Sequence, residues 1–237
     1  MVGGPVGVVC AHNLTAHPGY MRGIAERFAG AGYTVDVPLL SGHGRDLEAI
    51  LPYRFDDFRG DVAAAVERVR RRASQVVVVG AGAGGVCAMS LAGELPDLAA
   101  LAVISSPTGP LDAGLVAKVE ELARRRESAD GEVERRADDD VPTAVDLSGT
   151  PERAALSMHE VLLELDLSAV TCPTLGFYTK RDTTLLDAWA HAERLAREAP
   201  GPVELVELTG SSHMATVGED AALIEDRVFE FVRRTVG

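Results

Sequence analysis

Gly80-Ala81-Gly82-Ala83-Gly84-Gly85 follows directly on the apolar run Val76-Val77-Val78-Val79. The stretch has two incompatible readings. As Gly80-x-Gly82-x-x-Gly85 it matches a dinucleotide-binding fingerprint, in which glycines let a pyrophosphate approach the backbone at a helix N-terminus. As Gly80-x-Gly82-x-Gly84 it is a sharp strand-to-helix elbow, whose small outer residues let the tip residue stand clear. The fingerprint also requires an Asp or Glu about 20 residues on, at the end of the next strand, to hold a ribose. That strand ends Val103-Ile104-Ser105-Ser106-Pro107, with no acid, and the motif falls in the third strand unit rather than the first. The elbow is the better reading, and no cofactor is expected.

The chain of 237 residues is one large domain or two small ones, long enough for a substantial core. Its net charge of −13 and lack of a basic face argue against nucleic acid as a partner. The clusters Arg70-Arg71-Arg72 and Arg124-Arg125-Arg126 fall near the ends of predicted helices, where cations pair with the helix dipole. Cys10, Cys87 and Cys172 are widely spaced in apolar contexts and read as reduced core thiols. No metal site is expected. The N-terminus lacks a basic leader region, and no apolar run reaches the ~18 residues of a membrane span. A cytoplasmic protein without a membrane span is the expectation.

Short apolar, β-branched runs predict strands at 6–10, 33–37, 76–79, 99–104, 175–178 and 203–208. Helical spacing predicts helices at 17–30, 55–72, 86–94 (closed by Pro96), 185–198 and 218–234. Phe58, Val62, Val66 and Val69 form one apolar stripe of the second of these. Strands alternating with amphipathic helices imply an α/β fold, with a mostly parallel sheet covered on both faces. Residues 107–170 break the alternation. They hold helices at 115–127 and 151–165 around a polar run at 132–140, and read as a helical lid over the sheet's carboxyl edge. The core would then be 1–106 with 171–237.

An elbow that serves a catalytic site also needs an acid after a later strand and a histidine after the last one. Asp182 follows the strand at 175–178, and His213 follows the strand at 203–208. Here the chain resembles the α/β-hydrolase superfamily, in its carboxylesterase and monoacylglycerol-lipase-like branch. Ala11-His12-Asn13-Leu14 is similar to the His-Gly-x oxyanion motif, and Leu40-Ser41-Gly42-His43-Gly44 to the Gly-His-Gly segment. Phe55-Asp56-Asp57-Phe58-Arg59-Gly60-Asp61-Val62 is similar to the Asp-Asp-Trp-x-x-Asp-Val stretch that follows it. Lys180-Arg181-Asp182 and Ser212-His213 match the acid and histidine motifs. The resemblance covers nearly the whole chain. It implies the α/β-hydrolase fold and an oxyanion hole made by the backbone N–H groups of Leu14 and Ala83.

The chain departs from the branch at two positions. Gly82 stands at the nucleophile serine, and Asn13 stands where the oxyanion motif has glycine. Asn tolerates left-handed geometry, so the hole is expected to survive. Glycine relaxes a strained turn and is expected to leave a small space, while removing a nucleophile costs on the order of 10⁶ in turnover. Cys87 and Cys10 read as core thiols rather than substitutes. Thr15 and Ser105 lie near strand ends and are candidate pocket residues, together with Asn13 and His12. His12 and His43 also read as loop-orienting histidines.

His213 and Asp182 remain as a proton-transfer dyad, with a relic hydrogen bond as the bland alternative. The leading expectation is acid/base chemistry without an acyl intermediate on a small apolar substrate: carbon–carbon bond formation or cleavage, cyclisation, elimination or isomerisation, as in secondary metabolism. The alternatives are a carboxylesterase- or thioesterase-like hydrolase with dyad-activated water, and a non-catalytic pseudo-hydrolase that binds a ligand. An engineered replacement of serine would also leave Gly82.

Overall fold

The computed structural model describes residues 6–95, 97–128 and 150–236. Its strands are β1 (Val6–Ala11), β2 (Thr34–Asp36), β3 (Gln75–Ala81), β4 (Leu98–Ile104), β5 (Thr174–Thr179) and β6 (Val203–Leu208). They form one sheet in the order β2-β1-β3-β4-β5-β6, and every neighbouring pair is parallel. The α-helices among the described residues are α1 (Arg22–Gly30), α2 (Phe55–Arg70), α3 (Ala83–Ala92), α4 (Ala113–Ser128), α5 (Glu152–Leu163), α6 (Ala188–Glu198) and α7 (Ala221–Val236).

The unbroken valine run of β3 follows from burial on both faces. Val76 and Val78 join a core with Phe58, Val62 and Val66 of α2 and Val86 of α3. Val77 and Val79 face the other way, with Ile24 and Phe28 of α1 and Ile224 and Val228 of α7. All of these residues are essentially buried. At about 1.5–3 kcal/mol per fully buried valine-sized side chain, the two faces drive the sheet to form between helices. On β5, Tyr178 is covered by Ala188 and Ala192 of α6.

The strand order reverses at β1 and β3. After β2 the chain crosses β1, then adds β3 to β6 in one direction. The loops leaving β1 and β3 therefore diverge at the carboxyl edge and open a crevice there. Asn13 lies on the first loop and Gly82 on the second.

The elbow between β3 and α3 needs its glycines for space. A Cβ on Gly80 would lie 2.4 Å from the Gly84 carbonyl group, and one on Gly84 would lie 2.4 Å from the Ala11 carbonyl oxygen. Backbone cannot yield as a flexible side chain can. Gly80→Ala is therefore expected to destabilise the protein by about 3 kcal/mol, or roughly 6–12 °C in thermal unfolding.

Several helix boundaries differ from expectation. The helix expected at 17–30 opens with a 3-10 turn, Pro18–Met21, capped by the His17 ring accepting from the Gly19 N–H. The helix expected from 185 starts at Ala188, because the Thr184 and Leu185 N–H groups donate to Asp182 and Asp187 takes a left-handed φ of 51°. Between β4 and β5 the chain forms α4 and α5, which pack on each other. The polar run at 132–140 and Pro96 lie outside the described residues.

Candidate active site

The dyad is assembled from two loops at the carboxyl edge. His213 Nδ1–H donates to Asp182 Oδ2 at 2.9 Å, with the Asp182 side chain fully buried and that of His213 partly exposed to the cavity. The other Asp182 oxygen accepts from the Thr184 N–H at 2.9 Å and the Leu185 N–H at 2.7 Å. Three donors thus hold the carboxylate in place. The histidine loop is braced in turn: Asp220 accepts from the Gly210 and Ser211 N–H groups, and the Thr179 hydroxyl donates to the Ser211 carbonyl. With Nδ1–H given to Asp182, Nε2 of His213 is left as the acceptor.

What meets Nε2 is Asn13. Its Nδ2 donates to His213 Nε2 at 3.1 Å and reaches Met214 Sδ at 3.6 Å. Its Oδ1 accepts from the Leu14 N–H at 2.7 Å and from the Ala83 N–H at 3.0 Å. Ala83 opens α3, so the helix dipole adds to the attraction on that oxygen. The two amides expected to form an open oxyanion hole are therefore converged as expected but occupied by the chain's own carboxamide. The small space expected at Gly82 is filled as well. A Cβ there would stand 2.0 Å from Asn13 Oδ1 and 2.3 Å from its Cγ. Gly82 itself takes φ 50° and ψ −117°, a conformation that strains any L side chain by about 1–3 kcal/mol. Asn13 is the side chain that links the amides to the dyad.

Residues 6–130, just over half of the chain, match the family model for Hydrolase_4, the serine aminopeptidase S33 hydrolases. The chain belongs to this α/β-hydrolase family. It is 28% identical to the thermostable monoacylglycerol lipase of Bacillus sp. (strain H-257) over 240 residues, covering 99% of this chain and 93% of that protein. A solved structure from work on LipS and LipT, two metagenome-derived lipolytic enzymes, superposes with a TM-score of 0.81 at 24% identity, covering 98% of this chain and 95% of the other. A malate-bound thermophilic esterase from Thermogutta terrifontis gives a TM-score of 0.71 at 19% identity, covering 100% and 92%. The two structures speak for the α/β-hydrolase fold.

Above the dyad of this α/β-hydrolase lies a cavity of about 370 Å³. Asn13, Leu14, Thr15, Gly82, Ala83 and His213 form its floor, and Leu111, Leu115, Val119, Ala155, Met158 and Leu185 give it apolar walls. Of the apolar residues of α4 and α5, Leu115, Val119, Ala155 and Met158 reach the cavity, whereas Leu162 is fully buried in the core. Thr15 lines the cavity as expected. His12 and Ser105 do not. Ser105 is buried at φ 47°, and its hydroxyl has no hydrogen-bond partner among the described residues. Thr183, Thr184 and Ser212 also line the cavity. All three lie within two residues of Asp182 or His213.

His12 and His43 both brace the Asn13 loop. His43 Nε2–H donates to the Leu14 carbonyl at 2.7 Å. His12 Nδ1–H donates to the Asn13 carbonyl at 2.9 Å, and its Nε2 accepts from the Leu40 N–H at 3.3 Å. Burial pushes the His12 ring down to about 4, against the pull of the Asn13 carbonyl and with the His43 and His17 rings adding to the fall. Burial likewise pushes the Cys10 thiol up to about 12 and the Cys87 thiol higher still, so neither is poised as a nucleophile.

His12 makes stability pH-dependent. Unfolded, its ring takes a proton near 6.5; folded, only near 4. Between those values the unfolded chain binds more protons, so the contribution is complete above about 6.5 and is lost as pH falls to about 4. The loss is roughly 3 kcal/mol. Urea unfolding between pH 7 and pH 4.5 should show it, and His12→Gln should shed that part of the slope.

Proposed function

We propose that this chain is an α/β-hydrolase-fold enzyme without a serine nucleophile. His213, held by Asp182, acts as a general base on a small apolar substrate in the cavity. Gly82 occupies the elbow tip where the resemblance has serine. The Leu14 and Ala83 amides stabilise a developing oxyanion or enolate once the Asn13 side chain has turned away. Such a site removes a proton from an acidic C–H or O–H and returns it to another atom. Isomerisation, elimination, cyclisation or carbon–carbon bond change follow from that chemistry, as in secondary metabolism.

The observation that carries this reading is the Asp182–His213–Asn13 chain of hydrogen bonds, ending on both converged amides beside a glycine. It retains a base and an oxyanion site and offers no side chain at position 82. Residues 107–170 would act as the lid over a core made of 1–106 and 171–237, with α4 and α5 supplying the apolar walls.

A second reading is supported by the lipase and esterase names among the relatives: His213 activates water to hydrolyse an ester directly. Both readings need His213 and neither passes through an acyl-enzyme. Ester and thioester panels assayed in H₂¹⁸O separate them. Label in the released acid selects hydrolysis, whereas turnover that incorporates no label selects proton transfer. A third reading, ligand binding without chemistry, is supported by the occupied amides, and it requires that no candidate substrate be turned over and that His213→Ala leave ligand affinity unchanged.

A further inference from the structure

Asn13 is more than an obstruction, because its carboxamide reports what the site prefers to hold. One acceptor atom, Oδ1, receives two converging backbone donors at 2.7 and 3.0 Å. One donor atom on the same carbon, Nδ2, meets the lone pair of His213 Nε2 at 3.1 Å. The imidazole cannot easily switch roles there, since its Nδ1–H is engaged by the buried Asp182. The three protein groups thus form a template for a planar head that carries an acceptor and a donor two bonds apart.

We infer that this template is a headgroup subsite for a carbonyl whose own carbon carries a donor, as in a carboxamide. The ligand enters by displacing the Asn13 side chain, and its tail lies along Leu111, Leu115, Val119, Ala155, Met158 and Leu185. The cavity of about 370 Å³ sits at the lower end of the roughly 300–1,000 Å³ usual for small-molecule sites, which fits a single short chain. A simple ester of the same length satisfies the two amides but brings no proton for Nε2. The buried acceptor is then left unpaired, and sites built around such a bond reject the analogue that lacks it.

The inference shares its site with the proposed function and rests on the same dyad geometry, but it concerns binding alone. Octanamide and methyl octanoate are matched probes. By titration calorimetry, Asn13→Ala should bind octanamide at least about tenfold tighter than the wild-type chain does, because the internal competitor is gone. The same variant should prefer octanamide to methyl octanoate by about tenfold or more, and His213→Ala added to it should abolish that preference. In the wild-type chain, the Asn13 side-chain amide signals should shift on saturation with octanamide and stay in place with methyl octanoate, a readout that needs no variant. Equal octanamide affinity in wild type and Asn13→Ala, or equal affinity of the variant for both probes, would overturn the inference. Tight octanamide binding without turnover of any substrate would leave it standing and sink the catalytic reading instead.

Discussion

Asn13→Gly combined with Gly82→Ser should hydrolyse p-nitrophenyl octanoate at least about 10³-fold faster than either single variant. The reason is steric and then chemical. A Cβ at position 82 would fall 2.0 Å from Asn13 Oδ1, 2.3 Å from Cγ and 2.9 Å from Nδ2. A serine introduced alone therefore meets an occupied space, and its hydroxyl competes with the carboxamide for His213. It also takes up the strain of the φ 50° turn, about 1–3 kcal/mol. Asn13→Gly alone clears both amides but supplies no nucleophile. Together the changes place an Oγ beside a braced imidazole with both amides free, which is the arrangement the superfamily resemblance implies. A nucleophile is worth on the order of 10⁶ in turnover, so recovery of half of that on a logarithmic scale is a modest expectation. Residues in direct contact are the ones whose effects fail to add. If Gly82→Ser alone matched the double variant, Asn13 would not be the obstacle described.

The second large effect concerns the dyad. On any substrate that the wild-type chain turns over, His213→Ala should reduce the rate to background. Asp182→Asn should lower it by on the order of 10⁴, the loss expected when the orienting carboxylate becomes a group that can hold the wrong tautomer. The asparagine is nearly isosteric and should leave the Thr184 and Leu185 N–H bonds in place. Folding and rate are therefore separable: little change in thermal unfolding with a collapsed kcat is the expected pattern. Retained activity in both variants would remove proton transfer at His213 from the account.

Much of the fold could be read from residue patterns because the information is local. The valine run before Gly80 announces a strand buried on both faces, and the four apolar residues of α2 announce the face that covers it. Asp182 and His213 were legible because each follows a strand in the expected chain order. Asn13 was misjudged for the opposite reason. Its contacts lie 70 residues away at Ala83 and 200 residues away at His213, and no periodicity reports such distances. One trace was present in the sequence. The two departures from the resemblance, at 13 and 82, fall on the loops that leave adjacent strands β1 and β3, so they were candidates for a coupled pair. Ser105 was placed at the cavity by its position at a strand end, but its left-handed φ and burial take it away from the lining. The early part of the expected α6 was lost to the Asp182 carboxylate, a tertiary demand that local propensity does not register.

The most direct test of the nucleophile-free site is the intact mass of the protein after treatment with a long-chain fluorophosphonate, which marks an activated serine irrespective of the natural substrate. The wild-type chain should keep its mass unchanged under conditions in which the Asn13→Gly/Gly82→Ser variant gains one phosphonyl group. A stoichiometric adduct on the wild-type chain would show that another side chain serves as nucleophile and would contradict the account.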